Sequence, residues 1–190
     1  LLVLRGDGGS MSLEAFRRAP SFTIGSGPAA GVAAALLDLR LSEGIVLECG
    51  GTSSNVSVVT GGRTAMRTLR VMGRPTAIRS VDSWVVGAAG GSMALLGRRR
   101  VEETGPRSAH VAGLPYACFG PLADLDGAPL AVVAPRAGDP EAYAAVVGHS
   151  GTTYALTETC AAHALGLAEG APVPAGHDAT ASALAAFALL

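Results

Sequence analysis

The segment 45–56 carries the residues with the clearest chemical potential in this 190-residue sequence. An apolar run ends at an acidic residue, Glu48. Two glycines and two hydroxyl residues follow in a predicted tight turn: Gly50, Gly51, Thr52 and Ser53. Glycines let backbone N–H groups approach an anion, hydroxyls donate hydrogen bonds to it, and a carboxylate at a strand end holds Mg²⁺ or orients water. The pattern predicts a phosphate-binding hairpin, and spacing alone leaves a ligand-free turn open as the alternative.

The elements that must position this turn are predicted from periodicity. Alternating apolar residues predict a three-stranded antiparallel meander over 45–47, 56–59 and 64–71, with its second turn at Gly61-Gly62. Ser10 or Ser12 is expected to cap a helix over 13–19, and Ser26 to cap a second helix that has Pro28 in its first turn. Further strands are predicted at 83–86, 93–96, 101–103, 130–134, 143–147 and 152–156, and helices at 157–167 and near the C-terminus.

Composition excludes several classes of partner. With 14 basic and 15 acidic residues and a net charge of −1, nothing favours nucleic acid or an anionic membrane surface. No apolar run approaches the roughly 18–20 residues of a membrane span, and no signal peptide is recognisable. Three widely spaced cysteines favour reduced thiols in a cytoplasmic protein, and we expect Cys49 and Cys118 to be small buried residues. Because aromatic residues are only 4% and alanines are abundant, the core should consist of small side chains.

Four ordered motifs carry a resemblance to a known family. They are Arg5-Gly-Asp-Gly-Gly-Ser-Met-Ser-Leu-Glu14, Ser26-Gly-Pro-Ala-Ala-Gly-Val32, Glu48-Cys-Gly-Gly-Thr-Ser-Ser-Asn-Val56 and Val86-Gly-Ala-Ala-Gly-Gly-Ser92. In order and spacing the chain closely resembles the hydantoinase A/5-oxoprolinase family. The resemblance implies an α/β fold of the actin, sugar-kinase and Hsp70 type, with two RNase H-like lobes. It also implies ATP-dependent opening of a cyclic amide ring, or a related ATP-dependent carboxylation.

The resemblance assigns roles to two loops. The family's phosphate hairpin falls on Gly50, Gly51, Thr52 and Ser53, and Glu48 stands at its strand-end acid as the expected Mg²⁺ ligand and catalytic carboxylate. The family's later glycine-rich loop, expected to contact the nucleotide or close the cleft, falls on Gly87, Gly90, Gly91 and Ser92. Asp82, just before that loop, is the second candidate catalytic carboxylate, and a surface carboxylate is the alternative. Asp7 can face the cleft or form an Asx turn.

The chain departs from the family at chemically active positions. Glu48 replaces an Asp, and Asn55 replaces the Asp that closes the hairpin motif, so it brings no negative charge. Trp84 stands where the family commonly has His, and Ala112-Gly113 where it has Asp. These changes leave two hypotheses open: an ATP-dependent hydrolase of cyclic amides, or a catalytically degenerate interaction or regulatory subunit that keeps the fold.

The resemblance also implies a domain organisation. Residues 1–44 are expected to join from a missing first lobe, residues 45–170 to form an RNase H-like second lobe with a mixed sheet, the meander and flanking helices, and residues 171–190 to form a linker and terminal helix. The expected partners are a nucleotide, a small cyclic amide, the first lobe and a possible second subunit. We therefore expect a fragment of a hydrolase whose ATP lies against the missing lobe.

Overall fold

The computed structural model describes residues 1–98 and 101–168, and its contacts divide the chain into two units. Unit 1 comprises residues 1–48 and 54–85, and unit 2 comprises residues 49–53 and the chain from residue 86 onward. This division does not fall at the expected boundary after residue 44, which stays a prediction about the lobes of a larger protein. The expected linker and terminal helix at 171–190 lie outside the described residues.

Unit 1 combines short strands with two α-helices and a 3-10 helix. Its elements, in chain order, are β1 (Leu2–Leu4), β2 (Ser10–Ser12), α1 (Leu13–Arg18), a 3-10 helix (Pro20–Thr23), α2 (Ser26–Leu39), β3 (Gly44–Cys49), β4 (Ser54–Thr60), β5 (Arg63–Thr64), β6 (Met66–Val71), β7 (Arg74–Val81) and β8 (Trp84–Val86). β3, β4 and β5 lie side by side, and β8 pairs with β4. β1 pairs with β2, and β6 with β7, in antiparallel hairpins.

Helix α2 supplies the core of unit 1 through small side chains. Ala29 and Val32 are buried on one side of the helix and pack with Val81 of β7. Because these side chains are short, the helix lies close to the strands that it covers. The helix begins after Gly25, which takes the left-handed conformation with φ 80°. The expected cap at Ser26 is therefore wrong by one residue, since Ser26 is already helical.

The predicted meander is confirmed only in part. β3 and β4 are present, and β4 turns into β5 at Gly61-Gly62, whose φ values of 59° and 70° suit a tight hairpin. The prediction of one third strand over 64–71 is wrong, because the chain leaves this sheet at Ala65. Residues 66–71 pair instead with β7 through a second tight turn at Met72-Gly73. Sequence reasoning missed β7, where Pro75 weakens the strand pattern.

Unit 2 is a five-stranded antiparallel sheet with short helices. Its elements are β9 (Ser92–Leu96), β10 (Val101–Ser108), α3 (Ala109–Ala112), a 3-10 helix (Ala117–Phe119), α4 (Leu122–Leu125), β11 (Leu130–Val133), β12 (Tyr143–Val147), β13 (Thr153–Ala155) and α5 (Glu158–Ala164). The strand order is β10-β9-β12-β11, with β13 also pairing with β12. Every pairing within this sheet is antiparallel, so the expected mixed sheet is not what unit 2 contains.

The core of unit 2 confirms the prediction of small side chains. Alanines are prominent among its fully buried residues, with Met93, Val146 and Cys160 as the larger members. The hairpins predicted around residues 97–98 and 148–151 are confirmed as β9–β10 and β12–β13. Within residues 1–98 and 101–168, no helix has the length and apolar character needed to cross a membrane.

Candidate functional site

The predicted phosphate hairpin is a four-residue turn in unit 2. It begins where β3 ends at Cys49 and finishes where β4 begins at Ser54. The N–H of Gly50 donates to the carbonyl oxygen of Ser53 over 3.1 Å, which closes the turn. Gly50 and Gly51 are exposed, so the outer surface of the turn is open to a ligand.

The second glycine-rich loop holds this turn from behind. Gly90 donates its backbone N–H to the carbonyl of Gly50 over 3.1 Å, and Gly91 donates to the carbonyl of Gly51 over 2.9 Å. The structure thus brings together two segments that sequence analysis had assigned to one site. Because the N–H groups of Gly90 and Gly91 are already engaged, these glycines support the turn instead of offering further donors on its surface.

The support loop is itself fixed by hydrogen bonds. Ser92 is fully buried, and its hydroxyl accepts from the N–H of Ala89 over 2.9 Å. Thr159, near the start of α5, donates to the carbonyl of Gly90 with both its N–H and its Oγ1, each over 2.7 Å. Gly87, the remaining predicted loop residue, is exposed and lies against Pro106.

Gly91 has to lack a side chain at this place. A Cβ there would lie 2.2 Å from the Tyr116 hydroxyl oxygen and 2.3 Å from the carbonyl oxygen of Gly51. At Gly51 the nearest atom to an added Cβ is the same hydroxyl, at an ordinary contact distance of 3.6 Å. Gly91 is thus required for the packing of the two loops, whereas Gly51 leaves the turn's exposed surface open.

Three supporting residues were missed by sequence analysis: Ser108, Tyr116 and Thr159. Thr52 Oγ1 lies 3.0 Å from the hydroxyl of Ser108, which caps α3. Ser108 and Tyr116 lie against the turn and Thr159 holds Gly90 of the supporting loop, and each of these contacts joins residues more than 50 positions apart in the chain. Hydroxyl residues at 157 and 159 do indicate a helix start, and Thr157 is its cap, but no local pattern reveals the partner of Thr159.

The turn retains unused hydrogen-bond donors. Among the hydrogen bonds of the described chain, none has the N–H of Gly51, Thr52 or Ser53 as its donor. Successive backbone N–H groups in a tight turn form an anion-binding concavity. The turn therefore offers backbone donors that a phosphate group could use, while the loop that supports it stays hydrogen-bonded.

Glu48, the candidate metal ligand, lies in unit 1 and is half-buried. The side-chain amide of Asn55 donates to Glu48 Oε2 over 3.0 Å. An added Cβ at Gly31 of α2 would lie 3.1 Å from the same oxygen, so glycine at that position leaves room for the carboxylate. Asn55 brings no charge, as expected, but it orients the Glu48 carboxylate.

Asp82, the other candidate carboxylate, also lies in unit 1. It follows β7, is about half exposed, and has Oδ1 3.6 Å from Nε of Arg67. With Trp84, whose side chain is exposed, it lines a shallow groove on this unit. Asp7 accepts from the N–H of Gly9 over 3.0 Å, which confirms the Asx-turn alternative for that residue.

The cysteines divide into one exposed and two buried thiols. Cys118 is buried as expected, and a side-chain hydrogen bond with Cys160 together with burial raises the pKa of Cys118. Cys160 is fully buried beside it. Cys49 is exposed, so the prediction that it is a buried residue is wrong. Its position as the last residue of β3 puts it directly before the turn.

Comparison with known proteins agrees with the motifs. The sequence model of the hydantoinase/oxoprolinase family matches residues 1–185. A nucleotide-free structure of acetone carboxylase, described with the mechanism of ATP-dependent acetone carboxylation, is similar over 57% of this chain, with 30% identity and a TM-score of 0.51. The match covers 16% of that protein's chain. No curated protein sequence matches the chain. On the extent of the family match, the chain belongs to the hydantoinase/oxoprolinase family.

Proposed function

We propose that the turn 50–53 binds the phosphates of ATP. The observation that carries this proposal is a turn held by Gly90 and Gly91, in which the N–H groups of Gly51, Thr52 and Ser53 donate none of the backbone hydrogen bonds found among the described residues. A similar structure belongs to a protein described by its ATP-dependent reaction, which supports a nucleotide as the anion. Preorganised donors stabilise phosphate charge without a cost for rearrangement.

Mg²⁺ fits this arrangement only as an ion shared with the nucleotide. Within the described residues, no three His, Cys, Asp or Glu side chains converge as a metal site. Mg²⁺ at nucleotide sites commonly uses one or two carboxylates, the phosphates and water. Glu48, with one oxygen held by Asn55, is the residue that we propose to hold the ion directly or through water.

The proposed reaction is hydrolytic opening of a cyclic amide of the hydantoin or oxoproline type. ATP, when bound, would supply the phosphoryl group that converts the amide oxygen into a leaving group. The turn's N–H groups would hold phosphate charge, and Glu48 and Asp82 are the carboxylates that we propose to serve the chemistry. The hydrogen bond from Asn55 holds the Glu48 carboxylate in one orientation, which supports a working role for Glu48. Among the described residues we find no contact that supports the alternative, a catalytically degenerate subunit.

The proposed context is a larger protein of two RNase H-like lobes. This chain would be mainly the second lobe, with ATP lying against a first lobe and with a second subunit as a possible partner. The match covers only 16% of the acetone carboxylase chain, which supports the proposal that a first lobe and further parts complete the site.

Calorimetric titration of the full-length protein with MgATP tests the nucleotide site. We expect saturable binding, and we expect Gly51→Val to abolish it because the added methyl groups obstruct the exposed side of the turn. Gly27→Ala is the matched control, since an added Cβ at that position of α2 has no atom within 4 Å. Absence of binding at millimolar MgATP would refute the nucleotide assignment.

A further inference from the structure

The hydroxyl groups of Ser108 and Thr52 form one hydrogen bond, and their surroundings decide which of them donates. Their oxygens are 3.0 Å apart within unit 2. Ser108 is fully buried at the end of β10, and its Oγ accepts from the N–H of Val111 over 3.3 Å. Thr52 lies in the turn and is only half-buried.

The number of donors and acceptors around Ser108 identifies it as the donor in its bond with Thr52. A hydroxyl has one proton to donate and two lone pairs that accept. The N–H of Val111 occupies one lone pair of Ser108, and the buried proton needs an acceptor within the protein. Among the described residues, Thr52 Oγ1 is the acceptor that the Ser108 hydroxyl reaches. If Thr52 donated instead, the Ser108 proton would be buried without a partner.

The direction of this bond leaves the Thr52 proton available to a ligand. A hydroxyl that accepts a hydrogen bond is polarised and becomes a better donor. Thr52 stands between Gly51 and Ser53, whose N–H groups donate no backbone hydrogen bond within residues 1–98 and 101–168, so its proton adds a fourth donor to the same turn. Phosphate oxygens are acceptors only, which makes a phosphate group the matching ligand.

We propose that Ser108 is a positioning residue that orients the Thr52 hydroxyl to donate to a phosphate oxygen of the nucleotide. The proposal rests on the assignment of the turn as an ATP site and adds to it a residue from a different strand. Ser108 does not touch the phosphate; it acts through Thr52.

A double-mutant cycle on MgATP affinity tests this inference in the full-length protein. Thr52→Val keeps the shape and removes the hydroxyl, and we expect about tenfold weaker binding. Thr52→Ser keeps the hydroxyl and should bind within about twofold of the wild type. Ser108→Ala should weaken binding about threefold in the wild-type background because Thr52 loses its fixed orientation. In the Thr52→Val background, Ser108→Ala should change affinity no further.

The outcomes separate this inference from the proposed function. Wild-type protein that does not bind MgATP overturns both. Wild-type binding that Thr52→Val leaves unchanged, or an effect of Ser108→Ala that is equal in both backgrounds, overturns the inference alone. Ser108→Ala also removes the cap of α3, so urea unfolding is measured for each variant. If Ser108→Ala does not fold, the comparison of Thr52→Val with Thr52→Ser decides whether the hydroxyl contacts the ligand, and equal affinities overturn the inference.

Discussion

The backbone N–H of Gly91 donates to the carbonyl oxygen of Gly51 over 2.9 Å, and this bond joins two loops 40 positions apart in the chain. Together with the bond from Gly90 to Gly50, it engages the carbonyl groups of Gly50 and Gly51, while the N–H groups of residues 51–53 donate no backbone hydrogen bond among the described residues. Backbone N–H groups that have no acceptor within the protein are what an anion site requires.

Gly91→Ala is predicted to disrupt this junction. The added Cβ would collide with the Tyr116 hydroxyl and the Gly51 carbonyl, and overpacking of this kind costs about 1–3 kcal/mol. Urea unfolding of the variant should show a lower midpoint, with MgATP affinity reduced as well. Gly27→Ala should leave the unfolding midpoint and the MgATP affinity nearly unchanged. A Gly91→Ala protein as stable as the wild type would show that the two loops do not pack as tightly as described.

Cys49 is predicted to report nucleotide binding. Its thiol is exposed directly before the turn, whereas Cys118 and Cys160 are buried, so iodoacetamide should modify Cys49 first. Saturating MgATP should slow this modification several-fold, as followed by mass spectrometry of the labelled peptide. The Gly51→Val variant, which should not bind, is the control that must show no protection. An unchanged labelling rate in wild-type protein that binds MgATP would place the nucleotide elsewhere.

Asp124 is predicted to make the stability of unit 2 sensitive to acid. Hydrogen bonds from the Tyr154 hydroxyl and from Ser150 hold the pKa of the Asp124 carboxyl below its usual range. The unfolded state therefore takes up this proton at a higher pH than the folded state. The stabilisation is complete above the unfolded pKa of about 3.9 and disappears as pH falls through the lower folded value.

Asp124→Asn should therefore unfold at a lower urea concentration than the wild type at pH 7, and the difference should shrink below about pH 4. Tyr154→Phe, which removes the largest cause of the lowered pKa of Asp124, should also make stability less dependent on pH in this range. Asp38→Asn removes an equal charge from the exposed end of α2 and is the control. A difference between Asp124→Asn and wild type that persists unchanged to pH 2 would contradict this account.

The 190-residue chain by itself is predicted to bind MgATP much more weakly than the full-length protein. The proposed site is a cleft between two lobes, and one lobe supplies only part of the contacts. Parallel calorimetric titrations of the two proteins give the ratio of their dissociation constants. Equal, tight binding by the 190-residue chain would contradict the two-lobe proposal, although it would still support a phosphate site in the turn.

Local patterns predicted several elements well because the forces behind them act over a few residues. The hydroxyl of Ser12 accepts from the N–H of Ala15 and caps α1, as expected from the residue type and spacing. The turn at Gly61-Gly62 follows from the positive φ values that glycine tolerates. Residues 66–71 were assigned to the wrong sheet because strand alternation identifies a strand without identifying its partner.

The sequence by itself determined the family, the glycine-rich turn at 50–53 and the small-residue character of the core, since motif order and composition can be read directly from the chain. Only the tertiary structure decided that Gly90 and Gly91 support the turn, that Ser108 and Tyr116 lie against it, and that Thr159 holds Gly90. It also decided that Cys49 is exposed and that Asn55 holds Glu48. The physical reason is that hydrogen bonds and steric contacts between distant segments depend on how the strands pack, and no local period in the sequence encodes them.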